Sequence, residues 1–151
     1  MLIQQLNRTD PERVQLIVKN VDGGGSITTG LGACLVPSGA SIDGISSVKA
    51  TAALQKGFVG VATQDIAING YGLVTAWGYV NSVQISNVGT SLTITAGDTL
   101  IPGAVAGTFF SSVTAQAMST LLYKYVFAAT TVPVDLSNLN QSFVAGVVRA
   151  L

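Results

Sequence analysis

The side chains that usually carry acid–base and metal chemistry are scarce in this chain of 151 residues, which has no histidine and one cysteine. The lack of histidine removes the usual general base at neutral pH, the usual partner of a serine or cysteine nucleophile and the commonest metal ligand. A single cysteine cannot supply the ligand cluster of a zinc site. Because Cys34 lies in an apolar predicted strand, it is expected to be a buried apolar residue rather than a nucleophile.

Paired carboxylates are the remaining route to acid–base catalysis, and the candidates are Asp43, Asp65 and Asp98. Each stands in or beside a turn sequence, namely "IDG", "TQDIA" and "AGD". Aspartate is common in turns because its side chain accepts hydrogen bonds from nearby backbone N–H groups. That role is favoured here over a catalytic pair or a calcium site, since no Asp-x-Asp-x-Asp-Gly run occurs. We therefore predict that the protein is not an enzyme and holds no metal or cofactor.

The composition is apolar and poor in charge, with 48% hydrophobic residues, 9% charged residues and zero net charge. Soluble domains have about 25% charged residues, so a surface of this kind favours self-association or docking onto a larger assembly. Balanced charge offers no broad field for nucleic acid or an anionic membrane, and neither is expected as a partner. No apolar run reaches the ~18 residues of a membrane span, and the first residues do not resemble a signal peptide.

Short apolar segments predict an all-β fold. "RVQLIVKN" at 13–20 alternates in polarity, while "GFVGVA" at 57–62 and "SFVAGVV" at 142–148 are typical of buried strands. The last two share Phe-Val before small residues, which indicates either a duplicated unit or recurrence through composition alone. About eight to ten short strands separated by turn signals predict a single β-sandwich or β-barrel-like domain over 13–151. An extended N-terminal arm over 1–12 is expected to precede it.

The uncharged stretch "INGYGLVTAWGYV" at 68–80 contains the single tryptophan. Asn69-Gly70 predicts a two-residue type I′ hairpin turn, and the following strand places Trp77 and Tyr79 on one face. These aromatic side chains are either core residues or the centre of a subunit or ligand contact. Because Tyr71, Trp77 and Tyr79 have no basic neighbour within their strand, a nucleic-acid platform is not favoured.

The first thirteen residues, "MLIQQLNRTDPER", combine an apolar segment with a charged cluster. As a free tail the segment would be disordered. As an arm laid on a neighbouring molecule it would bury Leu2, Ile3 and Leu6 and pair the charges of Arg8 and Arg13. Both interpretations are consistent with the sequence.

The order of several short motifs resembles that of the small capsid decoration, or cement, proteins of tailed bacteriophages. The motifs are "GVA", then Asn-Gly-x-Gly-Leu-Val with a following glycine–aromatic–valine, then Ala-Gly-Asp-x-Leu, and a closing "FVAGVVRAL". The resemblance covers most of 13–151. It implies a β-rich knob without catalytic residues that binds the outer face of an icosahedral shell and clamps neighbouring capsomers.

The resemblance also implies the partners and the location. The expected partners are the major capsid protein and other copies of the chain, as a homotrimer or else a dimer, on the virion surface after synthesis in the bacterial host cytoplasm. The expected interface residues are Leu2, Ile3, Leu6, Arg8, Arg13, Tyr71, Trp77 and Tyr79. The alternative is a carbohydrate- or receptor-binding β-module of a phage fibre or adhesin, in which Trp77 and Tyr79 stand beside Asn81 and Gln84.

Overall fold

The computed structural model describes residues 12–36, 44–86, 92–103, 105–111, 125–134 and 142–150. They form a β-protein with one short 3₁₀ turn at Ala52–Gly57, which confirms the predicted all-β, barrel-like fold. The strands are β1 Val14–Asn20, β2 Gly32–Leu35, β3 Ser46–Lys49, β4 Phe58–Ala62, β5 Tyr71–Ile85, β6 Leu92–Ile94, β7 Thr99–Pro102, β8 Phe109–Ser111, β9 Tyr125–Ala128, β10 Val132–Val134 and β11 Ser142–Arg149. Within these ranges no helix has the length and apolar character needed to span a membrane.

The first five strands form a closed barrel in the order β1, β3, β2, β4, β5, with β5 returning to β1. The β1–β3 pair is parallel and the other pairs are antiparallel. Inward-facing side chains alternate with outward-facing ones along each strand, so the barrel has its own apolar interior. That interior contains Val18, Ile27, Leu31, Ala33, Val59, Ala62, Ile66 and Val74.

A second ring of strands continues from the far end of β5 in the order β5, β11, β9, β7, β8. It closes where β8 returns to β5 in a parallel pair at Ile85 and Phe109. Strand β5 has 15 residues, or about 50 Å of extended chain, and so belongs to both the first barrel and this second ring. Closure of both groups pairs most of the edges that would otherwise be open to another strand.

The first barrel and the second ring have the same connectivity. In each, the first strand along the chain is parallel to the third, as β1 is to β3 and β5 is to β8. Every other pair is antiparallel. In this correspondence β4 matches β9, and β5 matches β11. The sequence echo between 57–62 and 142–148 therefore does not join equivalent strands, since the first segment is β4 and the second is β11.

The first barrel packs against the second ring through side chains on the outer faces of β2 and β4. Cys34 and Phe58 are fully buried there, in a cluster shared with residues of β5, β7, β8, β9 and β11. The rings of Phe58 and Phe109 meet edge to face, with centroids 5.7 Å apart and an interplanar angle of 85°. The predicted burial of Cys34 is confirmed, and its thiol donates a hydrogen bond to the carbonyl oxygen of Leu54 at 3.1 Å.

The Asn69-Gly70 turn differs from the predicted type I′ hairpin. A type I′ turn needs positive φ at both central residues, whereas Asn69 alone has it, at 61°, and Gly70 does not. The Gly70 N–H donates to the carbonyl oxygen of Ala67 at 2.9 Å, so Asn69 occupies the third position of a four-residue turn. Ile66 pairs with Ile27 instead of β5, because the buried interior of the first barrel takes both isoleucine side chains.

Candidate interaction face on strand β5

The outward face of β5, formed by its odd-numbered residues up to 79, presents three aromatic side chains. Tyr71 is 61% exposed and Trp77 38% exposed, while Tyr79 is half-buried. The intervening even-numbered residues from 72 to 80 are all buried, as the two-residue period of a strand requires. Thr75 lies on the outward face but is fully buried, so Tyr71 is separated from the Trp77–Tyr79 pair.

A cationic group from a neighbouring segment lies over each of these rings. The Lys19 Nζ is 5.9 Å from the centre of the Tyr71 ring, and the Arg13 Cζ is 6.0 Å from that of Tyr79. The remaining ring belongs to Trp77, and the Cζ of Arg149 is 5.6 Å from its centre. Such contacts contribute about 0.5–1 kcal/mol each at exposed sites. The sequence showed no basic residue within β5, and the structure supplies all three from outside it.

Strand pairing explains two of these contacts directly. Lys19 on β1 is opposite Tyr71, and Arg149 on β11 is opposite Trp77. Directly opposed residues of an antiparallel pair have Cβ atoms about 5 Å apart on the same face. Sequence inspection missed Lys19 and Arg149 because each lies far from its partner along the chain, and strand register was the signal that would have found them.

Arg13 reaches Tyr79 through a close approach of two backbone segments. The pairing of β1 with β5 shifts register between Val14 and Gln15, and Gly78 has a φ of +105°. A Cβ atom placed on Gly78 would lie 2.2 Å from the carbonyl oxygen of Glu12. Glycine at this position therefore lets the segment before β1 lie against β5.

Apolar side chains of β11 extend the face beside Trp77 and Tyr79. Val147 is opposite Tyr79 on one side and Phe127 on the other, and it is 41% exposed. On β1, Ile17 is opposite Leu73, two positions from Tyr71 along β5, and is 62% exposed. We name this surface the aromatic face, and it comprises Arg13, Ile17, Lys19, Tyr71, Trp77, Tyr79, Val147 and Arg149.

A surface pocket of about 220 Å³ adjoins one end of the aromatic face. Its lining combines polar and apolar surface and contains Arg13, Thr29, Thr63, Tyr79, Asn81 and Ser82, together with Ala62 and Val80. The expected sugar platform is only partly assembled. Tyr79 and exposed Asn81 line the pocket, but Trp77 does not, and Gln84 is buried at 4% exposure.

The aspartates of the described segments bind backbone N–H groups. Asp98 accepts a hydrogen bond from the Thr95 N–H at 2.8 Å, which confirms its turn role. Asp65 instead accepts from the N–H and hydroxyl of Thr29, at 2.7 and 3.0 Å. These bonds lower the pKa of Asp65 because they stabilise the charged carboxylate. Asp43 lies outside the described residues.

Among the described residues, no three of histidine, cysteine, aspartate and glutamate approach closely enough to hold a metal ion. Of the interface residues expected from the sequence, the structure brings Arg13 and Tyr79 together, places Trp77 beside them and sets Tyr71 apart. Leu2, Ile3, Leu6 and Arg8 lie outside the described residues, as does the rest of the expected arm up to residue 11.

No protein-family model, curated protein or solved structure matches the chain. The class of protein is therefore described from the fold and the surface of this chain. It is a β-protein of joined strand rings with an exposed face that combines aromatic, apolar and cationic side chains.

Proposed function

We propose that this protein is a structural component of a tailed-bacteriophage virion that binds the outer surface of the capsid and stabilises the shell by clamping neighbouring capsomers. The observation that carries the proposal is the aromatic face. Tryptophan, tyrosine and arginine are the residues most enriched among those that dominate the binding energy of protein interfaces. Here Trp77, Tyr79, Arg13 and Arg149 are gathered on one exposed surface.

The closed strand arrangement supports the same role. A clamp that resists outward pressure needs a rigid body and contact area, and it needs no pKa-tuned catalytic group. Because β5 belongs to both the first barrel and the second ring, a load applied at the aromatic face passes directly into both groups of strands. Many copies on one shell add modest contacts through avidity, so no single interface has to be tight.

The partners under this proposal are the major capsid protein and further copies of this chain, with a homotrimer as the expected assembly on the virion surface. A stable contact of this kind buries about 1,600 Å² in total. The motif order described above supports the capsid assignment. The low fraction of charged residues supports burial of a large surface, because each unpaired buried charge costs several kcal/mol.

The proposal is tested with expanded empty shells of the phage that encodes the chain. The wild-type protein is expected to bind at a fixed stoichiometry and to raise the temperature at which the shells disrupt. Trp77→Ala is expected to weaken binding about 30-fold, which corresponds to the ~2 kcal/mol of an interface hot spot. Val105→Ala removes an exposed apolar side chain outside the aromatic face and is the matched control. Failure of the wild-type protein to bind would refute the proposal.

A second candidate function, glycan binding, is favoured by the pocket of mixed polar and apolar lining beside Tyr79. An aromatic ring next to hydroxyl and amide groups suits a sugar ring, and Tyr79, Asn81 and Thr29 provide these groups. A glycan array separates this function from shell binding. A glycan signal that is lost in Tyr79→Ala and retained in Trp77→Ala would support it, since Trp77 does not line the pocket. The absence of any signal with the wild-type protein would exclude the glycans on the array.

A further inference from the structure

We propose that the aromatic face binds an acidic protein surface, whose carboxylates meet Arg13, Lys19 and Arg149 while its apolar groups cover the rings between them. This inference rests on the proposed function in that it specifies the chemistry of the surface that the clamp meets. It follows from how the few charges of the described chain are distributed.

The cationic side chains are concentrated on one surface. Of Arg13, Lys19, Lys49 and Arg149, whose side chains the structure describes, three lie over the rings of the aromatic face. The fourth, Lys49, lies elsewhere and donates to the carbonyl oxygen of Gly24 at 3.2 Å. A chain with zero net charge thus has a distinctly positive face.

The carboxylates of the described segments are used elsewhere. Asp22 accepts hydrogen bonds from the backbone N–H groups of Gly24 and Lys49, at 2.7 and 3.0 Å. Asp65 and Asp98 likewise bind turn backbone. Glu12 precedes Arg13 and is the one described carboxylate next to the aromatic face in sequence. Three cations against one carboxylate leave an excess of two positive charges, which an acidic partner would neutralise.

The number and spacing of the cations favour an acidic protein over a nucleic acid as the partner. An arginine guanidinium donates two parallel hydrogen bonds to a carboxylate or to a phosphate, so the choice between the two depends on how many cations there are and where they lie. Nucleic-acid binding draws its affinity from roughly six to ten phosphate contacts. Three cations with exposed Ile17 and Val147 among them do not form such a track. Tyr71 and Trp77 are also about 20 Å apart along the strand, which suits separate contacts on a folded surface.

The experiment measures retention on an immobilised random copolymer of glutamate and tyrosine, at about 50 mM and about 500 mM salt, over which screening of exposed charges becomes severe. The wild-type protein is expected to bind at low salt and to lose affinity about tenfold or more at high salt. The double variant Arg13→Gln/Arg149→Gln is expected to bind with about tenfold lower affinity at low salt. A loss of this size is typical when hydrogen bonds to charged groups are removed. Lys49→Gln, a cation outside the face, is the matched control and should bind like the wild type.

Two further ligands separate the possible partners. A lysine–tyrosine copolymer tests whether the tyrosine rings of the ligand are sufficient for binding without carboxylates. An oligothymidylate tests whether the face binds phosphate. Equal binding to both copolymers, or tighter binding to the oligothymidylate, would overturn the acidic-protein proposal. A thermal unfolding curve for each variant establishes that any loss of binding occurs in folded protein.

The same variants on empty shells distinguish this inference from the proposed function. If shell binding is unchanged at high salt and in the double variant, the virion role stands and the acidic partner is wrong. If the glutamate–tyrosine copolymer binds as expected but shells do not, the acidic partner stands and the virion role is wrong.

Discussion

Replacement of Phe109 by alanine is expected to lower the free energy of unfolding by about 3–5 kcal/mol, the usual cost of removing a buried aromatic ring. Phe109 is fully buried on β8, at the pair with Ile85 that closes the second ring. Its ring meets Phe58 of the first barrel edge to face. A Cβ atom on Gly32 would lie 2.7 Å from the Phe109 Cζ, which shows how tightly the ring is enclosed. A cavity at this position would weaken both groups of strands at once.

Denaturant unfolding followed by the fluorescence of the single tryptophan measures this loss. Val105→Ala is a suitable control because Val105 is 46% exposed, and surface changes of this kind alter stability by about 0.5 kcal/mol or less. A Phe109→Ala protein within about 1 kcal/mol of the wild type would contradict the packing described between the first barrel and the second ring.

Local patterns were sufficient to predict several strands. The alternation of 13–20 predicted β1, observed at Val14–Asn20, and the apolar run at 57–62 predicted β4, observed at Phe58–Ala62. Strand β4 is buried along its whole length, as an apolar run indicates, whereas only Val18 and Asn20 of β1 are buried. The barrel and ring closures could not be predicted in this way, because they depend on pairs between distant segments such as Ile85 and Phe109.

Strand β5 extends beyond the uncharged stretch at 68–80. The uncharged stretch at 68–80 predicted a strand after the Asn69-Gly70 turn, and the structure has one strand, Tyr71–Ile85, that continues beyond Val80. Register against β11 changes between Val144 and Gly146, so two residues of β5 are accommodated opposite one of β11. Beyond this irregularity the apolar core residues are Val83 and Ile85, and Gln84 between them is also buried, so the simple alternation that strand prediction uses is lost.

The aromatic half of the candidate site was visible in the sequence and the cationic half was not. Trp77 and Tyr79 follow each other at strand spacing, so their shared face could be inferred locally. Their cations come from Arg149 at the end of the described chain and Arg13 near its beginning. The argument against a nucleic-acid platform used the absence of basic residues within β5. It was therefore incomplete, because strand pairing places basic residues beside the rings from across the sheet.

Replacement of Gly78 by alanine is expected to destabilise the protein by about 3 kcal/mol or more and to disturb the aromatic face at the same time. The φ of +105° is a conformation that side chains other than glycine's rarely adopt, and the new Cβ would lie 2.2 Å from the backbone oxygen of Glu12. Strain at such a position costs about 1–3 kcal/mol, and overpacking adds about 1–3 kcal/mol. Relief of the contact requires the segment before β1 to move away, and Arg13 would move with it.

The single tryptophan makes both effects measurable in one sample, because Trp77 precedes Gly78 directly. Denaturant unfolding gives the loss of stability, and the emission of the folded variant reports the change around the ring. Gly23→Ala is the matched control: Gly23 is exposed, its φ is not positive, and no atom lies within 4 Å of the added Cβ. If Gly78→Ala proved as stable as Gly23→Ala, with native emission, the close approach that positions Arg13 over Tyr79 would be wrong. The aromatic face would then have two cations instead of three, and the proposal of an acidic partner would be weaker.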